Sequence, residues 1–117
     1  MHYIHVYNDE DGRPCLEDCE AEFTSAQFAP PAPPLDVSAA TPVREVLFIR
    51  FPAGWTDSAH PAPARQWMFV LSGRGESIVS GEARSWGPGA VFFLEDTSGP
   101  GHGTTVFEEA VLAVTRC

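Results

Sequence analysis

The chain contains no lysine: all seven basic residues among its 117 are arginines. Schiff-base chemistry through a side-chain amine is excluded. Any cation that clamps a substrate must be a guanidinium, which grips carboxylates through a planar fork. Cysteine is scarce and odd in number, at Cys15, Cys19 and Cys117. The N-terminus shows no basic stretch followed by an apolar one, and no apolar run reaches membrane-spanning length. These features make free thiols in a reducing compartment, and a cytoplasmic location, the expectation. Positive charge is also short, with a net charge of −9. That balance excludes a phosphate-binding basic face and an anionic membrane surface as partners.

The acidity is uneven. Residues 1–29 carry seven acids against Arg13 alone, whereas residues 44–117 carry eight acids against six arginines. The C-terminal part is therefore close to neutral, and the N-terminal excess reads as a solvated face. His2, His5, Cys15 and Cys19 share the N-terminal part, but their spacing is loose for zinc and no second cysteine pair supports them. An edge strand with exposed histidines, followed by an acidic turn, is the simpler reading.

Length predicts one domain, 1–117. Periodicity predicts strands and no long helix. A strand is expected over 3–7, a turn at Asn8-Asp-Glu-Asp-Gly12, and a second strand over 16–23. Residues 29–42 are proline-rich and cannot donate a continuous hydrogen-bond ladder, so they are expected to run as an extended connector across the domain. From Arg44 onward, strands are expected at 44–51, 66–71, 76–80, 90–94, 104–107 and 110–115. Ser72-Gly-Arg-Gly75, Ser80-Gly81 and Gly87-Pro-Gly89 are read as the turns between them. Many short strands with Gly/Pro turns indicate an all-β sandwich or barrel. If Gln66 faces inward, alternation turns Met68 and Val70 inward with it and Trp67, Phe69 and Leu71 outward. An outer row that size requires cover, which predicts a homodimer with the N-terminal region at its interface.

Two stretches carry candidate chemistry. The first is Gly54-Trp-Thr-Asp-Ser-Ala-His60-Pro-Ala62-Pro-Ala-Arg65-Gln66, running on to Gly73. The second runs from Pro88-Gly89 through Glu95-Asp96-Thr-Ser-Gly-Pro-Gly-His102. Together they resemble the two motifs of the cupins, and the opening strand, the Asp11-Gly12 turn and the Glu17-Asp18 pair are similar to the start of a group of small single-domain bacterial cupins. The resemblance implies a double-stranded β-helix, or jelly-roll, barrel formed by residues 44–117, with residues 1–43 as N-terminal strands and connector. Cupins with the full ligand set hold a divalent metal through three histidines and a glutamate. Only His60 and His102 match that set here; the second histidine position holds Ala62 and the glutamate position Gln66.

The resemblance therefore places His60, Gln66 and His102 at the centre of a pocket, either as ligands of one Zn, Ni or Fe ion or as metal-free catalytic groups. Two imidazoles and an amide carry no negative charge, which disfavours a bare divalent ion in an apolar interior. Imidazoles titrate near neutrality and suit acid–base work. Arg50, Arg65 and Met68 are expected to bind substrate. Asp96 with Thr97 reads as an Asx-type turn, and Glu95 is a lesser candidate for the pocket. The leading expectation is an acid–base isomerase, lyase or cyclase acting on a small organic acid or polyketide-like molecule. A metal-dependent oxygenase and a non-catalytic ligand-binding protein are the rivals.

Overall fold

The computed structural model describes residues 1–117 and contains only β-structure. The strands are β1 (His2–Asn8), β2 (Pro14–Glu20), β3 (Thr24–Ala26), β4 (Leu35–Val37), β5 (Glu45–Phe51), β6 (Gln66–Val79), β7 (Glu82–Trp86), β8 (Val91–Leu94) and β9 (Gly103–Arg116). Seven of them form one mixed sheet in the order β2-β1-β8-β6-β9-β5, with β7 paired to the far half of β6. The β1–β8 pair is parallel and the others are antiparallel. β3 and β4 form a separate two-stranded sheet. No helix is long and apolar enough to cross a membrane.

The long β6–β9 ribbon organises the fold. Gln66 pairs with Arg116 at one end and Ile78 with Gly103 at the other, with register shifts between Val70 and Gly75. Gln66 and Met68 from the first half of β6 and Ser77 and Val79 from its second half border the same cavity. The ribbon therefore folds over on itself, and the bulged stretch is where it bends. Two glycines permit the bend. Gly73 has a φ of +88°, and a Cβ there would meet the backbone of Ala110. A Cβ on Gly75 would run into the Trp86 ring.

The strand pattern departs from the expected one at five points. Ser72-Gly-Arg-Gly75 is no turn but a bulged bend inside one strand, because neighbouring β9 continues the ladder across it. For the same reason 104–107 and 110–115 merge into β9. The proline-rich stretch contains β4, whose residues pair with 24–26 and not with the main sheet. The second strand ends at Glu20, earlier than its expected limit, and β7 had not been foreseen.

Alternation sets the two faces of the sheet. Ile4 and Val6 on β1, Val70 on β6, Phe92 and Leu94 on β8, and Leu112 and Val114 on β9 are buried. On the opposite face Trp67 stacks on Phe93 at 4.4 Å between ring centroids, and Tyr3 meets Trp67 edge-on at 5.0 Å. β1 thus covers part of the outer aromatic row, whereas Leu71 stays exposed.

Loop 52–65 is fastened as an irregular extra strand. Thr56 bridges Thr105, and His60 and His102 exchange both backbone hydrogen bonds at 3.0 Å. Gly101, at a φ of +72°, lies against the His60 carbonyl and the Pro61 nitrogen, with no space for a Cβ. Gly101→Ala should therefore destabilise the fold by about 2–4 kcal/mol, from overpacking plus the strained backbone. Gly12 has φ +77° but nothing within 4 Å of a Cβ. Gly12→Ala should cost only about 1–2 kcal/mol. Urea midpoints of the two variants measured side by side check the difference.

Candidate functional site

Between the folded halves of the sheet lies a cavity of about 290 Å³, and 13 of its 20 lining residues are hydrophobic. That volume holds about ten waters, so it suits a small molecule with an apolar body. The cavity-lining residues include His60, Gln66, Met68 and His102. All four were expected from the sequence, and the fold brings them to the lining of one cavity. Trp55 and Trp86 also line it, while Trp67 belongs to the outer face.

The wall is built by the two fastened loops. Asp96 follows β8 and is completely buried; its Oδ2 lies 2.6 Å from His102 Nδ1. The backbone N–H of Ala62 donates to the Asp96 carbonyl at 2.9 Å, tying the loop before β6 to the loop after β8. Asp96 is thus not a turn former but the partner that orients His102. A carboxylate accepting from Nδ1–H fixes the ring tautomer and leaves Nε2 as the free nitrogen. The other carboxylate oxygen, Asp96 Oδ1, is buried without a hydrogen-bond partner.

His60 is held differently. Its ring centroid is 5.3 Å from that of His102, and its Nδ1 faces the Pro61 carbonyl at 2.9 Å. Its Nε2 lies 2.6 Å from Asp57 Oδ2, although out of line for a hydrogen bond, so that oxygen remains without a properly directed donor. Asp57 is itself fixed by accepting the Thr104 N–H at 2.8 Å. Both nitrogens of His60 are engaged by oxygens, and the ring is half exposed at the cavity edge.

Tight zinc-type sites supply three or four protein donors. Here His102 offers one free nitrogen and Gln66 one amide oxygen. Ala62 offers none, and His60 would have to abandon both of its contacts. The donor set does not fit a tightly held divalent ion. Outside the cavity, donor atoms of His5, Glu17 and Cys19 lie within 4.8 Å of one another on the outer face of β1 and β2. One nitrogen of His5 is already committed to Glu95 at 2.7 Å.

The two expected substrate arginines lie elsewhere. Arg50 is exposed and alternates with Ile49 and Phe51, which face the cavity, so it points to the opposite side. Arg65 donates from Nε to Glu95 at 2.7 Å and covers the Phe93 ring at 4.8 Å, on the outer face. Glu95 is therefore an outer-face residue as well. Cys15 also lies outside, since its neighbour Leu16 takes the inward position. The arginine that does line the cavity is Arg116. The parity of β9 could have found it, because Arg116 lies on the same face as Leu112 and Val114.

Compared with protein-family models and with curated proteins, the chain matches none.

Burial pushes the Glu95 carboxyl up, but hydrogen bonds from Arg65 and His5 outweigh this and hold it below its ordinary value of 4.5. A depressed carboxylate stabilises the fold above the unfolded value and loses that contribution as pH falls through the folded one. Glu95→Gln should therefore lower the melting temperature at pH 7, and the gap to the wild type should narrow as pH drops below about 4.5. Thermal unfolding between pH 3 and 7 checks the trend.

Proposed function

We propose that the chain is a small-molecule enzyme of the cupin kind, a jelly-roll barrel whose cavity performs acid–base chemistry without a tightly bound metal. The observation that carries this reading is the buried Asp96–His102 pair at the wall of an apolar cavity. Asp96 holds Nδ1, so His102 Nε2 is the group able to take a proton from a carbon acid and return it to a neighbouring carbon or oxygen. Asp96 balances the imidazolium that forms in between. His60, half exposed with Nδ1 facing the Pro61 carbonyl and Nε2 against Asp57, shapes the edge of the site, and the base is assigned to His102. The reaction class is tautomerisation or double-bond isomerisation of a small enolisable molecule; the same proton abstraction also opens elimination or cyclisation.

The reading is tested with a neutral diketone, benzoylacetone, and an acidic ketone, phenylpyruvate, by following deuterium uptake from solvent at the enolisable carbon by NMR. Wild-type protein should accelerate exchange of at least one of them, and His102→Gln and Asp96→Asn should lower that rate by about 10²–10⁴-fold. Compounds that bind in the cavity with no faster exchange than in buffer would leave a binding protein and overturn the enzyme reading. So would an undiminished rate in His102→Gln.

A second copy of the chain is the proposed partner. β5 is an edge strand, and its outer side exposes Val46 and Phe48, the latter 68 % accessible. A patch of this kind on an edge invites pairing. Sedimentation at low micromolar concentration should show a dimer, and Phe48→Glu should dissociate it. A monomer independent of concentration would refute the pairing.

A further inference from the structure

We propose that Arg116 is the anion anchor of the cavity and that, with Gln66 beside it, it selects ligands carrying a carboxylate on an apolar body. This rests on the cavity being a ligand site but not on the proton-transfer chemistry assigned to His102. Three cross-strand neighbours form a row: Glu45 on β5, Arg116 on β9 and Gln66 on β6. Directly paired residues share a face, so all three lie on the cavity side.

Two of the few buried side-chain atoms without a hydrogen-bond partner fall in this row, Arg116 Nε and Gln66 Oε1. Gln66 is only 5 % exposed. Leaving a buried guanidinium N–H or amide group unpaired is costly, and folded chains retain such groups mainly where something else satisfies them. A ligand carboxylate would accept charge-assisted hydrogen bonds from the Arg116 guanidinium, with the Gln66 side-chain NH2 as a second donor at its side. Because a carboxylate only accepts, the amide must present its NH2 to the ligand, which turns Oε1 away from it.

The charge balance around the row favours the same assignment. Arg116 is the sole arginine lining the cavity, and the chain has no lysine. Its one acidic neighbour, Glu45, reaches Nη1 at 3.5 Å and is itself more than half exposed. A loose, solvated pair of this sort contributes little and leaves Nε uncovered. An incoming carboxylate therefore competes with a weak partner, and Glu45 acts as a placeholder that lowers affinity for anions. The predominantly hydrophobic wall provides for the rest of the ligand.

Calorimetry with 3-phenylpropanoate and its neutral counterpart 3-phenylpropanamide tests the anchor, with cavity resonances followed by NMR to locate binding. Wild-type protein should prefer the acid by at least about ten-fold. Arg116→Gln should abolish that preference while leaving amide binding unchanged, and Arg116→Lys should retain part of it. Glu45→Gln, an exposed change that spares the fold, should tighten acid binding several-fold without affecting the amide. His102→Gln should leave the preference for the acid intact, which separates the anchor from the proton-transfer reading. Equal binding of acid and amide, or a preference that survives Arg116→Gln, would overturn the anchor alone. If neither compound perturbs cavity resonances at millimolar concentration, the anchor and the ligand-site reading fall together.

Discussion

Everything in this molecule depends on β6 and β9 pairing over their whole length while bending together. Gln66 meets Arg116 at one end of the ribbon and Ile78 meets Gly103 at the other. Because the bulges between Val70 and Gly75 turn the ribbon, inward-facing residues of both halves look at each other across a gap. A flat ribbon would place the same residues in one plane and enclose nothing. The bend needs close backbone approach at Gly73 and Gly75, which only glycine allows there. One local irregularity thus converts a sheet into the walls of a cavity.

The bend also decides where polar groups can be afforded. An apolar cavity of this size tolerates few unpaired polar atoms. Asp96 satisfies one oxygen with His102 and leaves the other bare, while Gln66 and Arg116 leave one atom each. By contrast, the charged cluster of the outer face is mutually satisfied: Glu95 accepts from both His5 and Arg65. The outer cluster holds strands together.

Much of the all-β fold was legible because alternation and Gly/Pro punctuation are strong local signals. Gln66, Met68 and Val70 face inward as their period required, and His60 and His102 stand together as their motif-like spacing suggested. What failed were inferences needing long-range pairing. Ser72-Gly-Arg-Gly75 has the composition of a turn, yet β9 lies alongside and keeps the ladder continuous, so glycine serves a bend and not a reversal. Arg50 and Arg65 have the right chemistry for a carboxylate clamp, but strand parity and the Glu95 contact turn them to the outer face. Arg116 is far from the His60 stretch in sequence and becomes its neighbour only because β9 returns beside β6. Asp96 looked like a turn residue for the same reason: its partner six positions on is reached only once loop 52–65 holds His102 in place.

Ala62 shows how the site acquires its character. Its side chain is almost fully buried at 2 % exposure and can coordinate nothing. Its backbone N–H instead donates to the carbonyl of Asp96, the residue that orients His102. A bulky imidazole at this packed position would have to displace its surroundings and with them the loop that holds Asp96. Small size at position 62 and the carboxylate–imidazole pair are therefore linked. A small residue here permits a tightly tied loop, in which Asp96 engages one nitrogen of His102 and leaves the other free. Gln66 continues the same logic, since a glutamate there would place a negative charge beside the Asp96 carboxylate region and compete for Arg116. With a neutral amide, Arg116 faces no acidic partner on the β6 side, and its one ion pair is the loose contact with Glu45.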